Sequence, residues 1–352
     1  MKGSRSRLRE RSAYPLAGNI KGSILILTLW SLGLLVIFAI YLGVGVRQKL
    51  TMVYSLDERS KLRLIAESGI KKAILQIERA KKTDEDYDSF SDDWSHSLGI
   101  FKDIRTGDGS YSVYYTFMND KTGRAESRYG AVDEESKLNI NKADQKVLRQ
   151  FCRVVLGSSE TEAQELAASI VDWRDKDSEL SIPLGSAEDM DYRALYYPYE
   201  AKDDKFEVLE ELFLVKGIDK DIYKKMEQYV TIYGKGKVNI NTAPAYVLMA
   251  LGLNARLTDK IISYRYGQDN MIGTADDGVF TSTGAIIPKL SQSVSLSESE
   301  IAELSRVVEQ HLTVLSEHFN IRSKAALDGR RRTHEIVCIF ERAGRILYWH
   351  ES

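Results

Sequence analysis

Cysteine and proline are scarce in this chain of 352 residues, which contains 2 Cys and 5 Pro. Two cysteines are too few for a disulfide framework or a thiolate metal site, so a small disulfide-stapled fold is excluded. Cys152 and Cys338 allow one disulfide, but two buried thiols are the interpretation that we favour. The few prolines leave room for long helices, and none occurs in residues 23–82.

The chain also lacks the sequence motifs of common enzymes. Its 5 histidines show no metal-binding spacing, and no Gly-x-Ser-x-Gly, phosphate-binding loop or His-Glu-x-x-His occurs. Most paired carboxylates lie in polar segments, as is typical of solvated loops. We therefore predict that the protein is not an enzyme.

Positive charge is concentrated at the N-terminus, and the rest of the chain has no excess of basic residues. Residues 1–22 hold six Lys and Arg against one Glu, whereas the whole chain carries a formal net charge of -2. The remainder is therefore acidic. Because nucleic-acid binding depends on basic side chains that displace counterions from phosphate, we expect no nucleic-acid partner.

An uncharged run of 24 residues extends from Ser23 to Val46. About 20 apolar helical residues cross the hydrocarbon core of a bilayer, so residues 23–46 are predicted to span a membrane. A cleaved secretory signal, with an apolar region of about 7 to 15 residues, is the weaker alternative. Since short basic segments stay in the cytoplasm, we expect a cytoplasmic N-terminus, a single membrane pass and a body on the far side of the membrane.

Helical periodicity continues beyond the apolar run. Apolar residues recur at three-and-four spacing from Leu62 to Ile77, with Lys, Arg and Glu between them. One helix of about 60 residues is therefore predicted, with its second half packed against a globular domain. A membrane anchor and a separate helix joined by a loop are the alternative.

Strand-like segments flank a helical middle. Residues 109–117 alternate and are followed, across the turn NDKTG, by a second strand-like run from Ala125, which predicts a hairpin. Three more strands are predicted at 318–327, 334–342 and 345–350, and helices between about 141 and 306. The predicted fold class is α+β: a long helix on an antiparallel sheet, with a large all-helical insertion between the sheet strands. A separate β domain, helical domain and C-terminal hairpin would leave poor cores.

The phrase Lys-apolar-Asn-Ile-Asn occurs twice, starting at Lys137 and at Lys237. Each copy precedes a helical pattern. Asn141 in the first copy, and Asn241 or Thr242 in the second, are good helix N-caps. Each phrase is therefore predicted to be a short extended segment that leads into a capped helix.

The second copy and the segment LEELFLVKGIDKDIYKKMEQYV before it resemble helix-hairpin-helix modules, which hold DNA phosphates through a glycine-rich hairpin. A membrane-tethered protein for DNA binding or uptake is therefore the alternative function. It is disfavoured because LGLNARL replaces the expected Gly-apolar-Gly turn and because Asp219 would repel phosphate. We interpret these modules as packing units.

Two acid-rich loops are candidate calcium sites, because calcium takes 6 to 8 oxygen ligands. The first loop, QDNMIGTADDG, offers Asp269, Asn270, Asp276 and Asp277. The second loop offers Asp172, Asp175, Asp177, Glu188 and Asp189. Capped turns and solvated acids are the alternative for both loops.

The start of the chain resembles a type IV prepilin, in which a leader is removed after a glycine and the membrane helix begins. The residues that carry the resemblance are Lys21, Gly22 and Ser23. They imply a leader at 1–22, cut between Gly22 and Ser23 by a prepilin peptidase. Pilins generally have Glu at the fifth mature position, where this chain has Leu27; lacking that acid is typical of minor pseudopilin K of type II secretion systems, the GspK family. Since a carboxylate in hydrocarbon needs a partner on a neighbouring subunit, Leu27 fits a tip subunit.

The resemblance to the GspK family extends along the chain. The motifs that carry it are AESGIKKAI at 66, GSYSV at 109, DEESKLNIN at 133, IVDWRDKDSE at 170, LEELFLVKGI at 209 and GKVNINTAPAYVLMAL at 236. The resemblance implies a pilin-like lobe at 47–140 and 311–352 around a helical domain at 141–310. It also implies a place at the tip of the type II secretion pseudopilus, with minor pseudopilins I and J and the major pseudopilin as partners, and calcium in the helical domain.

Overall fold

The computed structural model describes residues 20–80, 87–183 and 185–352. In these ranges the helices are α1 (Ile20–Arg79), α2 (Leu98–Phe101), α3 (Gln145–Phe151), α4 (Glu160–Asp172), α5 (Asp189–Arg193), α6 (Lys220–Met226), α7 (Ala245–Ala250), α8 (Ala255–Arg265), α9 (Ile286–Ser293) and α10 (Glu298–His311). The strands are β1 (Ile104–Thr106), β2 (Gly109–Val113), β3 (Tyr115–Met118), β4 (Ala125–Arg128), β5 (Val132–Asp133), β6 (Leu138–Asn139), β7 (Val230–Thr231), β8 (Val238–Asn239), β9 (Leu312–Thr313), β10 (His318–Leu327), β11 (Thr333–Glu341) and β12 (Arg345–Glu351).

Helix α1 confirms the predicted long N-terminal helix, because it runs for 60 residues without a loop. From Ile24 it contains a stretch that is long and apolar enough to cross a membrane. The alternative of two separate helices is wrong. The leader residues 1–19 lie outside the described residues, and at Lys21, Gly22 and Ser23 only the helical backbone is described.

The chain forms two compact units, one ending at Ser60 and the other comprising Lys61–Ser352. In the second unit, the second half of α1 has one buried face that includes Leu62, Ala66, Ile70, Ala73 and Ile77. Gly69 belongs to this face and lies directly over β10. A Cβ atom at position 69 would come within 2.2 Å of the Ser323 Oγ, so glycine permits the close approach of helix and sheet.

The main sheet is antiparallel and, among the described residues, has six strands: β1, β2, β10, β11 and β12 in that order, with β5 also paired to β10. Its central strand β10 pairs with β2 on one side and β11 on the other. Strands from both ends of the second unit therefore share one sheet. The predicted C-terminal strands agree closely with β10, β11 and β12.

The prediction of one strand at 109–117 is wrong in part. Strand β2 ends at Val113, and Tyr114 donates its N–H to the carbonyl oxygen of Arg322 at 3.1 Å. The chain then leaves the main sheet, and β3 pairs with β4 in a separate hairpin with Tyr115 opposite Arg128. The predicted hairpin is therefore present, but it is built from the second half of the segment.

The second unit has two hydrophobic cores. One lies between α1 and the main sheet and includes Trp94 and Phe319, whose rings meet edge-to-face at 5.0 Å. The other fills the helical part and includes Phe151 and Phe280. Cys338 is buried in the first core and Cys152 in the second, and both are free thiols, as the favoured interpretation expected.

Two short parallel strand pairs divide the helical part into two copies of one arrangement. Strand β6 pairs with β7, and β8 pairs with β9. We call residues 138–231 the first copy, which holds α3 to α6, and residues 238–313 the second copy, which holds α7 to α10. Strand β7 lies where helix was predicted: α6 ends at Met226 because Val230 and Thr231 pair with the start of the first copy.

Candidate functional site

Asn141 and Asn241, which end the repeated phrase, do not cap helices, so this prediction is wrong. Helix α3 is capped by Asp144, whose Oδ1 accepts the N–H of Val147 at 2.8 Å. Helix α7 starts after Pro244, which has no capping side chain. Thr242 donates its hydroxyl to the buried carboxylate of Asp133 at 2.5 Å instead of capping α7.

Both asparagines hold a distant backbone segment in the same way. The side chain of Asn141 donates to the carbonyl of Phe206 at 2.9 Å and accepts its N–H at 2.8 Å. The side chain of Asn241 makes the same two contacts with Phe280, each at 2.9 Å. In each copy, one side-chain amide therefore makes the two hydrogen bonds that the backbone of a neighbouring strand would make in a β ladder.

The rest of the phrase is also used twice. The side-chain oxygen of Asn139 accepts the N–H of Asn141 at 2.9 Å, and Asn239 accepts that of Asn241 at 3.0 Å. Arg174 at the end of α4 donates to the carbonyl of Ala143, and Arg265 at the end of α8 donates to that of Ala243. The repeated letters therefore encode one joint that fixes the shape of each copy.

The two joints differ in what lies beyond them. Asn139 donates to the carbonyl oxygen of Tyr233 at 2.6 Å, just after the end of its own copy. Asn239 instead donates to Asp133 in strand β5 of the main sheet at 3.1 Å. Burial and the nearby charge of Glu135 raise the pKa of Asp133 to about 8. The second copy is therefore fastened to the sheet through a buried carboxyl group.

A second fastening explains the missing cap of α7. The carboxylate of Asp120, in the β3–β4 turn, accepts the N–H of Ala245 at 3.0 Å. The N–H of Asp120 in turn donates to the hydroxyl of Tyr266 at 3.1 Å. An acid at the N-terminus of a helix stabilises its free N–H groups, whichever segment supplies it. The hairpin therefore supplies the cap from 125 residues earlier in the chain.

The first candidate calcium loop follows α8 and is exposed. One carboxylate oxygen from each of Asp269, Asp276 and Asp277 lies within 4.8 Å of the others, in an arrangement that could hold a cation. The turn itself already satisfies two of these acids, because Asp276 accepts the N–H of Gln268 at 2.6 Å and Asp277 that of Gly273 at 2.6 Å. Hydrogen bonds from Thr274 and the backbone lower the pKa of Asp276.

Asn270 is the fourth residue predicted for this loop. Its side chain donates weakly to the carbonyl oxygen of Gln268, at 3.4 Å, and its φ is +56°. The sharp turn also depends on Gly267, where a Cβ would come within 2.4 Å of the Asp276 carboxylate. The turn is therefore shaped by its own backbone contacts.

The second candidate loop follows α4 and contains buried carboxylates without partners. Four acids interact there: Asp172, Asp175, Glu188 and Asp203. Both carboxylate oxygens of Glu188, and the Oδ1 atoms of Asp175 and Asp203, are buried and accept no hydrogen bond. Asp172 is fully buried and accepts the N–H of Ser181 at 3.1 Å. We call these four residues the buried carboxylate cluster.

Burial and mutual repulsion shift the titration of the cluster. Burial, followed by the charges of Asp177, Asp172 and Asp203, raises the pKa of Asp175 to about 6. Burial and the charges of Asp172, Asp175 and Asp203 raise the pKa of Glu188 to about 7. Like charges held together out of water need a cation or protons.

Asp177 and Asp189, the other residues of the second predicted set, lie near the cluster, and the charge of Asp177 acts on Asp175. Asp177 is exposed and accepts the N–H of Glu179 at 3.0 Å. Asp189 accepts the N–H of Ala201 at 3.0 Å and pairs with Arg193 at 2.9 Å. Asp203 was not in the predicted set, but its charge acts on Asp175 and Glu188. The sequence analysis missed it because no spacing pattern links it to the other acids.

Three comparisons with known proteins all find components of type II secretion systems. Residues 127–235 match the family described as "Type II secretion system (T2SS), protein K". Type II secretion system protein K of Pectobacterium carotovorum subsp. carotovorum is 31% identical over 162 residues, which are 45% of this chain and 48% of that protein. This chain therefore matches about half the length of that curated relative.

A solved structure extends the comparison to the fold. A chain in the crystal structure of the GspK-GspI-GspJ complex from the enterotoxigenic Escherichia coli type 2 secretion system aligns over 85% of this chain and 99% of its own length. The TM-score is 0.61 and the sequence identity is 17%. The predicted fold class, a long N-terminal helix with an antiparallel sheet and added helices, is thereby confirmed.

Proposed function

We propose that this chain, whose residues 127–235 match the type II secretion protein K family, is a minor pseudopilin of a type II secretion system. It starts or caps, at the tip, the periplasmic fibre that drives folded proteins across the outer membrane. The observation that carries the proposal is the presence, in one chain, of the protein K domain and of a 60-residue helix whose first part is apolar enough for a membrane. This role is mechanical and requires no catalytic group.

The proposed partners are minor pseudopilins I and J, together with the major pseudopilin. Support comes from the solved neighbour, which has the same fold and was crystallised in a GspK-GspI-GspJ complex. The DNA-binding alternative gains nothing from the matched proteins, which are secretion proteins. At low salt, the purified full-length chain should not retard duplex DNA.

The proposed topology is a cytoplasmic leader at 1–22, one membrane pass and a periplasmic body in the inner membrane. The basic leader before an apolar run supports it. N-terminal sequencing of membrane-extracted protein, co-expressed with a prepilin peptidase, should start at Ser23. A start at Met1, or a start after Val46 as for a secretory signal, contradicts pilin processing. Methylation of the new N-terminus is read from the same sample by mass spectrometry.

The tip position is supported by Leu27, which replaces the acid that pilins use to pair with a neighbour. The large helical part of the chain, residues 138–313, also adds bulk that a repeating fibre subunit would have to accommodate. Leu27→Glu should leave membrane insertion unchanged but allow incorporation at internal positions, read as more copies per pseudopilus. An unchanged copy number for Leu27→Glu contradicts this reason for the tip.

We also propose that calcium binds the buried carboxylate cluster. Its support is the chemistry of its unpaired buried oxygens, because calcium prefers carboxylate ligands and offsets their repulsion. Among the described residues, the exposed turn is the group that already brings three carboxylate oxygens within 4.8 Å of one another. Asp172, Asp175, Glu188 and Asp203 would hold the ion, which would link the end of α4 to the loop after it. The exposed turn of Asp269, Asp276 and Asp277 is proposed as a weaker second site, since the backbone already satisfies its acids.

A further inference from the structure

Strand β12 is an edge of the main sheet and has one free side. Its inner side pairs with β11, with Glu351 opposite Ile336 and Trp349 opposite Cys338. In the part of the chain that the structure describes, no strand pairs with the outer side. An unpaired strand edge presents a row of N–H and C=O groups that matches another extended chain.

The register identifies which backbone groups point outward. Glu335 and Ser352 exchange both backbone hydrogen bonds, each at 2.9 Å. Because bonded and non-bonded pairs alternate in antiparallel sheets, His350 and Tyr348 also bond to β11. The N–H and C=O groups of Trp349 and Glu351 therefore point away from the sheet.

The side chains of β12 are unusually apolar for an edge. Ile346, Leu347, Tyr348 and Trp349 are consecutive and are 51%, 41%, 37% and 37% exposed. Edge strands of soluble proteins are usually short or carry charges or proline. The opposite edge follows this rule: β1 has three residues, and its Arg105 pairs with Asp328 at 2.7 Å. Strand β12 is therefore the edge that a partner would cover.

Strand β12 also lies beside α1. Glu351 accepts hydrogen bonds from Arg63 of α1 at 3.1 Å and from the indole of Trp349 at 2.8 Å. In the proposed fibre, α1 is the element that packs against other pseudopilins. A partner lying along the outer face of α1 would therefore reach the edge of β12.

We propose that the outer edge of β12 receives an extended strand from a partner pseudopilin, which extends the main sheet by one strand. This inference rests on the proposed function. Water can satisfy the outward N–H and C=O groups but leaves four apolar side chains exposed, and a lipid covers the side chains but cannot form the ladder of hydrogen bonds. An extended peptide with apolar side chains does both.

Hydrogen exchange tests the pairing directly. The full-length chain in detergent is measured alone and with pseudopilins I and J, with resolution of single amides. The amides of Trp349 and Glu351 should exchange rapidly in the free chain and at least about tenfold more slowly in the complex. The amides of Tyr348 and His350, already bonded to β11, should change little.

Each other outcome overturns the inference. A complex that forms without protection of Trp349 and Glu351 excludes strand addition and leaves the proposed function standing. Failure to form any complex with pseudopilins I and J contradicts both the strand addition and the proposed function. If these amides are protected in the chain alone, and the protection rises with its concentration, a second molecule of this chain binds the edge. That result contradicts binding by a partner pseudopilin.

A proline substitution separates backbone pairing from side-chain contact. Trp349→Pro removes an outward N–H that the fold does not use, and Trp349→Ala is the matched control that loses only the indole. Trp349→Pro should weaken binding to the partners at least about tenfold more than Trp349→Ala. Equal weakening indicates side-chain contact alone and contradicts strand addition. If Trp349→Pro fails to fold, as thermal unfolding would show, the exchange experiment on the unmodified chain decides.

Discussion

The two acid-rich turns follow equivalent helices, α4 and α8, but the hydrogen bonding of their carboxylates differs. After α8, Asp276 and Asp277 are held by N–H groups of their own turn. After α4, Glu188 has two buried oxygens with no partner. Both loops are rich in acids, but of the two only the second has buried carboxylate oxygens that accept no hydrogen bond. The proposed main calcium site therefore depends on unpaired buried oxygens and not on the number of acids.

The repeated asparagine joint differs in the same manner. Asn141 serves its own copy, whereas Asn241 also donates to the carbonyl of Asp88, outside both copies, at 3.1 Å. Asn239, beside it, contacts Asp133. One sequence phrase therefore forms an internal joint in the first copy and an attachment to the sheet in the second.

Replacing the two asparagines should give the largest effects. Asn241→Ala leaves the N–H and C=O of Phe280 without partners and removes one of the two side-chain hydrogen bonds to the C=O of Asp88, the other coming from Asn239. It should lower the free energy of unfolding by about 3 kcal/mol. Asn141→Ala, which affects Phe206 alone, should cost about 2 kcal/mol. Denaturant unfolding of the detergent-solubilised chain measures both. A loss for Asn141→Ala equal to or above that for Asn241→Ala contradicts the difference between the joints.

Calcium binding should separate the two turns. Glu188→Gln removes a charge from the buried carboxylate cluster and should weaken calcium binding at least about tenfold, since affinity follows ligand charge. Asp276→Asn, the matched change in the exposed turn, should weaken it less than about threefold. Titration calorimetry of the full-length chain measures both. A larger loss of affinity in Asp276→Asn than in Glu188→Gln would place the main site in the exposed turn. If the unmodified chain does not bind calcium, both proposed sites are wrong.

Calcium should also stabilise the folded chain. At about 100 times its dissociation constant, the ion should add about 2.7 kcal/mol to the free energy of unfolding. The rise in the midpoint of thermal unfolding should be lost in Glu188→Gln and kept in Asp276→Asn. A chelator that leaves the midpoint of the calcium-loaded chain unchanged contradicts binding to the folded state.

The smallest expected effect concerns His318, at the start of strand β10. His318 lies beside Tyr233 and pairs with Glu135 at 2.7 Å. Burial lowers the pKa of His318, but the hydrogen bond and charge of Glu135 outweigh it, so the pKa is raised. The pair's stabilisation is therefore complete below about pH 6.5 and is lost as the pH rises through the raised pKa.

His318→Gln tests this pH dependence. Between pH 6 and pH 8 the unmodified chain should lose about 1 kcal/mol more of its unfolding free energy than the variant. Asp133 also has a raised pKa but is present in both proteins, so the difference isolates the histidine. Parallel pH profiles of the two proteins, from thermal unfolding, would show that His318 does not titrate in this range.

The sequence predicted the elements whose signal is local. Strand β10 coincides with the predicted 318–327, because its alternation and turn residues lie within one segment. Helix α1 was found from its periodicity. The strands β6 to β9 were missed, since each has two residues and its partner lies tens of residues away.

The candidate sites show the same limit. The caps of the repeated phrase were misplaced because Asn141 and Asn241 bind distant backbone and because Asp120 caps α7 from another segment. Asp203 was missed for a similar reason: the fold, and no spacing in the sequence, brings it to Glu188. Local rules identified the residue types correctly and assigned several of them the wrong contacts.

Assembly with pseudopilins I and J is the most direct test of the account. Native mass spectrometry of the detergent-purified, processed chain mixed with both partners should show a complex with one copy of each protein. The complex should persist in Asp276→Asn, whose change is confined to the exposed turn after α8. A chain that folds, is processed at Ser23 and yet binds neither partner would contradict the proposed role at the tip of the pseudopilus.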